Sequence, residues 1–373
     1  MIYLLFFCIS VFFAHLAKRS KKKNFFIFYS IVSIALPVLL AGLRNVSIGI
    51  DTSNYYEGSW TKAMLLRDVP IQDYIQIYLQ KSFDRFEILF GVLIGFVART
   101  TGNYQVFLTL VHLIIITCVY IGAFRMKKHV APELTLLLFY LLYYGKSLNI
   151  YRQYMAMAIL FAVTADLEER KHLRYIVFTL IASLIHNSAL IGFLPLLIFR
   201  VLYPSNSLKQ TSIYKKMFIC AAIFGGAGCF IPFVRFLMNV GLLSSKYQFY
   251  LDGEQASSYE LALLFIMVEF VGLLVFYKGF IRNNTYSDFY FFSSVAFLVL
   301  YIMGTSLSYG GRIAAYLSNI NIVSIGMLIN SQRTRNNKRI VRWLILLVVF
   351  VYWGYVYLYR NASATMPYVP CFV

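Results

Sequence analysis

The chain has 373 residues, of which 60% are hydrophobic and only 13% charged, and its formal net charge is +19. A typical soluble domain has about 25% charged residues, so the composition excludes an ordinary water-soluble enzyme. Intrinsic disorder, a coiled coil and a disulfide scaffold are also excluded, because each requires charge or cysteine that this chain lacks. The composition therefore predicts an all-α polytopic integral membrane protein.

Apolar runs near the length that spans a bilayer, about 20 residues, recur along the whole chain. We predict about twelve transmembrane helices, at Met1–Ala17, Asn24–Leu43, Tyr104–Phe124, Glu133–Gly145, Ile150–Leu167, Leu173–Ile185, Ser188–Tyr203, Lys216–Val240, Tyr259–Tyr277, Ser287–Thr305, Arg312–Asn330 and Ile340–Tyr359. The shorter run Phe86–Ala98 is predicted to be a re-entrant or interfacial helix. Leu173–Tyr203 is split in two because Asn187 and Ser188 favour the start of a new helix; one long tilted helix is the alternative.

The Lys and Arg residues predict the orientation, since they are enriched in cytoplasmic loops. A basic cluster, Lys18–Lys23, follows the first apolar run. A cleaved signal peptide has the opposite order, so this run is predicted to be an anchor with its N-terminus outside. Placing Lys18–Lys23 in the cytoplasm puts 22 of the 34 Lys and Arg residues there, provided that Phe86–Ala98 does not cross. Both termini and the long segment 44–103 are then extracytoplasmic, within one transmembrane domain, 1–373.

Polar residues near helix ends are the best candidates for a site, because the membrane penalises them. On the predicted outer face they are Arg44, Asp51, Arg152, Gln153, His186, Asn187, Arg312 and Tyr316. Arginines at this boundary suit a diphosphate, since the planar guanidinium can bind its oxygens in pairs. For Arg44, an ion pair with Asp51 that pins a surface loop is an equal alternative. Arg152 lies one turn inside an apolar helix and needs an anionic partner, either a phosphate or an acidic side chain.

His186 could act as a general base, because an imidazole titrates near neutral pH, or it could cap a helix. Glu269, deep in an apolar run, could couple protons, pair with an arginine or be neutral. Four aromatic residues outside the helix ends are candidates for sugar contacts: Tyr55, Tyr56, Trp60 and Tyr368. The five cysteines have no CxxC spacing and the chain has no nucleotide-binding motif, so we expect neither a metal site nor a cofactor.

An ordered set of short segments resembles the EpsG family of Wzy-type polysaccharide polymerases. The segments are LRNVSIGIDTSNY (43–55), FEILF (86–90), NIYRQYMAMAI (149–159), ASLIHNSALI (182–191) and GRIAAY (311–316), with a short Pro-Tyr tail. They span most of the chain, and their order makes the resemblance more specific than any one segment. The family more often has Gly-Thr-Asp where this chain has Gly49-Ile50-Asp51, a difference that keeps the acid.

The resemblance implies a glycosyltransferase of the bacterial inner membrane that acts on its periplasmic face. It would join repeat units carried on undecaprenyl diphosphate, without a metal, and invert the anomeric carbon. Arg44, Arg152 and Arg312 would then bind the diphosphate, and His186 would be the base. Asp51 would orient His186 or Arg152, or be the base itself. The further substrate contacts are expected at Gln153, Asn187, Tyr316, Tyr55 and Tyr368.

Three other functions fit parts of the pattern. An O-antigen ligase shares the donor and differs in its acceptor, whereas a lipid-linked oligosaccharide flippase or transporter should show two related halves with charges at mid-membrane. A membrane acyltransferase could use a single histidine but does not need three arginines. The expected partners are the lipid-linked donor and acceptor glycans, the bilayer and a chain-length regulator protein, with no nucleic acid.

Overall fold

The computed structural model describes residues 2–79, 87–204, 211–240, 260–305 and 311–372. Regular secondary structure in these ranges is helical. The α-helices are α1 Ile2–Arg19, α2 Lys23–Gly42, α3 Ile50–Tyr55, α4 Thr61–Leu65, α5 Ile71–Leu79, α6 Ile88–Thr100, α7 Tyr104–Arg125, α8 Pro132–Phe139, α9 Gly145–Asn149, α10 Tyr151–Val163, α11 Ala165–Glu168, α12 His172–Ser183, α13 Phe193–Leu202, α14 Ile213–Asn239, α15 Glu260–Val275, α16 Tyr277–Asn283, α17 Ser287–Thr305, α18 Gly311–Ala314, α19 Ser318–Asn330 and α20 Arg335–Trp353. Short π-helical or 3-10 turns extend several of them, so the all-α prediction is confirmed for the described residues.

Seven helical segments within the described ranges are long and apolar enough to cross a membrane. They are Ile2–Arg19, Lys23–Gly42, Tyr104–Arg125, Ile213–Phe233, Ser287–Thr305, Gly311–Asn330 and Arg335–Tyr359. An eighth is added if α15 and α16, which are bent by 72° at a short break, count as one span. Each corresponds to a predicted apolar run, so the chain is a multi-pass membrane protein by the length and composition of its helices.

Four of the twelve predicted runs fall short of a spanning helix. Helix α8 continues through a π-helical turn, Tyr140–Tyr144, into α9, and the helix is interrupted at Ile150 before α10 begins. Helix α12 ends at Ser183 and a 3-10 turn begins at Asn187, so the predicted separation into two helices is confirmed. Twelve crossings and the sidedness of the termini stay predictions.

The chain forms two compact units: residues Met1–Leu190 with Leu346–Val373, and residues Ile191–Ile345. In the first unit, α1 packs against α2 and α7 packs against both α2 and α10. A buried hydroxyl, Ser10, donates to the Ser33 carbonyl (2.7 Å) and ties α1 to α2. In the second unit the buried Glu269 carboxylate accepts a hydrogen bond from the Asn321 amide (2.6 Å). That the whole chain forms one transmembrane domain stays a prediction.

The long segment between α2 and α7 is folded into helices α3–α6 where the structure describes it. Arg99, near the end of α6, donates to the carbonyls of Leu66 (3.1 Å) and Val69 (2.8 Å). Its guanidinium also lies 4.2 Å from the centre of the Tyr74 ring. Burial raises the pKa of Tyr74 to about 12, and its hydroxyl donates to the Gly91 carbonyl (3.1 Å). These contacts hold α4 and α5 against α6, whose first residues take part in the candidate site.

Ion pairs connect the loops that the sequence predicts to be cytoplasmic. At the C-terminal end of α7, Arg125 lies 2.5 Å from the fully buried Asp166 carboxylate. The next loop brings His129 within 2.8 Å of Glu168. Asp166 and Glu168 therefore offset part of the basic charge that follows the C-terminal ends of α7 and α10.

Candidate active site

Five chain segments of the first unit meet where helix α2 ends and helix α7 begins. They are residues 43–55, 87–90, 148–153, 184–187 and 361–371, called the polar end below. The Cys371 N–H donates to the Leu43 carbonyl (2.8 Å), and the Asn45 N–H donates to the Val369 carbonyl (2.8 Å). The tail of the chain is thus joined to the segment that leaves α2.

An ion pair between Glu87 and Arg152 links two segments of the polar end. The Arg152 Nη1 lies 2.5 Å from the Glu87 Oε2, with side chains 14% and 11% exposed. Glu87 immediately precedes α6, where the helix dipole favours a negative charge. The Arg152 guanidinium also lies 5.8 Å from the centre of the Phe90 ring. Of the two anionic partners that the sequence leaves open, the structure supplies an acidic side chain.

The second oxygen of the Glu87 carboxylate holds the turn that follows His186. Glu87 Oε1 accepts a hydrogen bond from the Asn187 backbone N–H (2.8 Å), and the Leu89 N–H donates to the Leu184 carbonyl (3.0 Å). The His186 N–H donates to the Ala182 carbonyl (2.9 Å) at the end of α12, so its backbone is fixed as well. One carboxylate therefore sets the positions of Arg152 and of the turn that carries the half-buried His186.

Asp51 is positioned by a glycine turn and by the end of α9. Gly49 has φ +92°, a conformation that a side chain disfavours, and it turns the chain into α3. The Asp51 N–H then donates to the Asn149 Oδ1 (2.7 Å). Next to it, the Thr52 hydroxyl donates to the Leu148 carbonyl (2.9 Å). The half-buried Asp51 is thereby fixed against the residues that precede Arg152.

Arg44, which the sequence suggests for phosphate binding, is fully buried. Its Nη1 donates to the Ala41 carbonyl (2.6 Å) and its Nη2 to the Leu148 carbonyl (2.9 Å). These carbonyls lie in the last turns of α2 and α9, where backbone acceptors have no helical partner and carry partial negative charge. Burial lowers the pKa of Arg44, an effect partly offset by nearby tyrosines. In the structure Arg44 therefore caps the ends of two helices.

Tyrosines and a tryptophan form a continuous aromatic wall beside the ion pair. The Tyr55 and Tyr151 rings are 4.7 Å apart, and the hydroxyls of Tyr151 and Tyr104 are 3.2 Å apart. The Tyr104 ring in turn packs edge-on against Tyr56 and at a tilt against Trp60, with ring centres 4.9 Å and 5.3 Å away. Because Tyr151 precedes Arg152, this wall begins at the ion pair and extends toward α7.

The remaining predicted site residues lie in three different settings. Tyr368 packs edge-on against Tyr3 (5.6 Å), and burial raises its pKa. Gln153 is buried next to Arg152. Arg312 is half-buried and Tyr316 buried, both in the second unit; Gly310, one of the glycines before Arg312, lies outside the described residues.

Sequence reasoning does not single out Glu87 as a site residue. Glu87 belongs to a short apolar run whose main use in the sequence is to decide how often the chain crosses the membrane. Its partner Arg152 lies 65 residues later in the sequence. The available signal is an arginine one turn inside an apolar helix, which requires a nearby anion. Looking for an acidic residue at the end of another predicted helix would have identified Glu87 as a candidate partner of Arg152.

Comparison with known proteins identifies the family of the chain. The model of the EpsG family matches residues 26–372, nearly the whole chain, and includes every segment of the polar end. No curated protein matches the chain, and no solved structure matches it. EpsG proteins are a Wzy-type polymerase-like family. The chain therefore belongs to the EpsG family and is a membrane protein of polysaccharide biosynthesis.

Proposed function

We propose that the protein is a polysaccharide polymerase that joins repeat units carried on undecaprenyl diphosphate at the periplasmic face of the bacterial inner membrane. Membership of the EpsG family supports the class of reaction. The observation that carries the proposal is the Glu87 carboxylate, which binds both the Arg152 guanidinium and the turn after His186. One residue thus holds a cation suited to phosphate and the backbone turn next to a histidine.

The proposed reaction is a direct displacement at the anomeric carbon of the donor glycan. The acceptor hydroxyl gives up its proton to a base and its oxygen forms the new glycosidic bond. The bond between the anomeric carbon and the phosphate oxygen breaks, and the lipid diphosphate leaves with the electron pair. The configuration inverts, and the charge on the leaving group requires a cation but no metal.

Arg152 is the residue proposed to bind the leaving diphosphate. Its ion pair with Glu87 supplies the counter-charge that a partly buried guanidinium needs. The pair also holds Arg152 near the proposed outer face of the membrane. Arg312 is proposed as a second phosphate-binding arginine, while Arg44 supports the site by capping two helices. Asn187, Gln153, Tyr316, Tyr55 and Tyr368 remain proposed substrate contacts.

His186 is the proposed base, with Asp51 as the group that orients it or accepts the proton in its place. An unperturbed imidazole has a pKa near 6.5 and can therefore accept a proton at neutral pH. Glu87 is a positioning residue in this scheme, because its two oxygens bind Arg152 and Asn187. The distribution of basic loops supports the outer orientation, with both termini outside and about twelve crossings. Contact with a chain-length regulator is a further part of the proposal.

The test is the length distribution of the polysaccharide in cells that carry His186→Ala or Arg152→Ala in place of the native chain. We expect single repeat units to remain on the acceptor while longer products disappear, with protein levels unchanged. Arg67→Ala is the matched control, because Arg67 is an exposed arginine of the same unit whose ion pair is with its neighbour Asp68.

Two outcomes would contradict the proposal. Normal ladders at normal protein levels would remove His186 and Arg152 from the reaction. Complete loss of every glycan from the final acceptor, including single units, would indicate a ligase, since a polymerase that fails still leaves one unit to be transferred.

A further inference from the structure

The first unit contains a cavity of about 400 Å³ beside the aromatic wall. Its lining residues are Asn45, Val46, Tyr56, Trp60, Gly102, Asn103, Tyr104, Gln105 and Cys371. They come from the segment after α2, the region of α3 and α4, the start of α7 and the chain's tail. Because α7 is a spanning helix that begins here, the cavity lies at a membrane boundary.

The lining of the cavity suits an uncharged ligand with many hydroxyl groups. No Lys, Arg, Asp or Glu is among the lining residues, so the site offers nothing to balance a phosphate. It does offer three side-chain amides, each with two N–H donors. The Asn103 Oδ1 accepts from the Gln105 N–H (2.8 Å) and the Asn45 Oδ1 from the Ser47 N–H (3.1 Å), so the backbone fixes both amides.

Tyr56, Trp60 and Tyr104 form the aromatic part of the cavity lining. Trp60 and Tyr104 are 5% and 4% exposed and pack on each other, whereas Tyr56 is 39% exposed. Tyr56 meets Tyr104 edge-on at 4.9 Å. The negative face of an aromatic ring attracts the polarised C–H groups of a sugar face, and the amides can bind the hydroxyls at its rim. This pairing of stacking and amide contacts discriminates a saccharide from a lipid chain, which has no hydroxyls to offer.

The cavity is connected to the proposed phosphate-binding arginine through two tyrosines. The Tyr104 hydroxyl, on the cavity wall, lies 3.2 Å from the hydroxyl of Tyr151, the residue before Arg152. We propose that this cavity binds a neutral sugar of the lipid-linked repeat unit, as a subsite separate from the anionic one at Arg152. The inference rests on the proposed function and assigns the sugar and the diphosphate to different groups of residues.

Cys371 provides a probe inside the cavity. The experiment uses the full-length protein in lipid nanodiscs with Cys371 as its single cysteine, after Cys8→Ala, Cys118→Ala, Cys220→Ala and Cys229→Ala. The rate of maleimide labelling is measured with and without the free repeat-unit oligosaccharide, released by mild acid from its lipid carrier. We expect labelling to slow by about tenfold at an oligosaccharide concentration ten times its Kd, because a filled cavity excludes the reagent.

Two variants test whether the protection comes from the proposed contacts. Tyr56→Ala should weaken oligosaccharide binding by roughly two- to tenfold, as expected for loss of one aromatic contact, whereas Tyr56→Phe should keep it. Asn336→Cys, with Cys371→Ser, is the control, because Asn336 is exposed and does not line the cavity; it should label at the same rate in both conditions.

The inference is overturned if the oligosaccharide leaves Cys371 labelling unchanged, if Tyr56→Ala is protected as well as the parent, or if inorganic pyrophosphate protects equally. These outcomes are independent of the glycan ladders of His186→Ala and Arg152→Ala. Loss of polymer in those variants without protection of Cys371 would remove the sugar subsite alone. Protection of Cys371 with normal ladders would instead remove the proposed catalytic residues.

Discussion

Arg44 donates a hydrogen bond to the carbonyl of Leu148, 104 residues further along the chain, at 2.9 Å. This contact ties the end of α2 to the end of α9, and from there the chain turns into α10 and reaches Arg152. A residue that the sequence suggests for phosphate binding is thus held between two helix ends. The distinction can be measured, since a structural arginine and a substrate-binding arginine fail in different ways.

Arg44→Ala should lower the stability of the protein and not selectively its affinity for the donor. The change removes the guanidinium from the Ala41 and Leu148 carbonyls. Leu148 keeps the hydrogen bond from the Thr52 hydroxyl, whereas Ala41 loses its side-chain donor, and an unsatisfied buried group costs about 1–3 kcal/mol. Thermal denaturation of a fluorescent fusion in detergent measures the effect, with Arg67→Ala as the exposed control. An Arg44→Ala protein with native stability and no polymer would instead indicate that Arg44 binds substrate.

Exchange of the two members of the Glu87–Arg152 pair should separate folding from activity. Glu87→Arg alone or Arg152→Glu alone places like charges together and removes a charged hydrogen bond that contributes ~1.5–3 kcal/mol. The double exchange restores the opposite charges, so we expect protein levels to recover toward the native value. Polymer should not recover, because a carboxylate then stands where the cation for phosphate is needed.

Recovery of long polymer in the double exchange would argue that the pair is purely structural. The companion variant Glu87→Gln keeps the shape of the side chain and an acceptor oxygen for the Asn187 N–H. It should shorten the products while the protein stays folded, since Arg152 loses its counter-charge. Equal product lengths in Glu87→Gln and the parent would remove the positioning role of Glu87.

Gly49→Ala should destabilise the turn that precedes Asp51. The residue has φ +92°, and a Cβ atom there would lie 2.7 Å from the Thr52 hydroxyl and 2.9 Å from the Leu148 carbonyl oxygen. Backbone strain of this kind costs about 1–3 kcal/mol. Gly58→Ala is the matched control, because no atom lies within 4 Å of its added Cβ. A native melting temperature in Gly49→Ala would show that the turn can rearrange.

Cysteine labelling in cells can test the predicted orientation. In a background without native cysteines, Ser47→Cys should react with a membrane-impermeant maleimide before lysis, because segment 44–103 is predicted to be extracytoplasmic. Asn336→Cys, in the first turn of α20 and within the most basic segment predicted to be cytoplasmic, should react only after lysis. Both positions are exposed, so accessibility to the reagent is matched. The reverse pattern would invert the topology and place the polar end in the cytoplasm.

Much of the helical structure could be predicted because hydropathy reports the main property of a spanning helix. Helix α17, Ser287–Thr305, has the predicted bounds, and the His186–Asn187 break is found where Asn and Ser indicate it. The interruption at Ile150, with φ −98° and ψ 49°, falls where the sequence separates the apolar runs Glu133–Gly145 and Ile150–Leu167. The continuation of the helix from Gly145 through Asn149 is not predicted, because the sequence indicates a connection between two helices there.

The partners of the arginines could not be predicted, because they depend on which helix ends meet. The sequence places Arg44 and Arg152 at helix ends, and both are found there. It does not reveal that Arg44 meets the free carbonyls of α9, since backbone acceptors leave no trace in the side-chain pattern. Nor does it reveal that Glu87 meets Arg152, because the two residues are joined by tertiary packing of α6 against its neighbours.

The tail that follows α20 has a practical consequence for how the protein can be handled. Its backbone supplies partners for Asn45 and Gly49, its Tyr368 covers Tyr3, and its Cys371 closes one wall of the cavity. A purification tag or reporter placed close behind Cys371 would therefore lie beside the proposed sugar subsite. Truncation after Arg360 should leave the spanning helices intact while opening that wall. A long flexible spacer is the prudent choice for any fusion whose activity is to be measured.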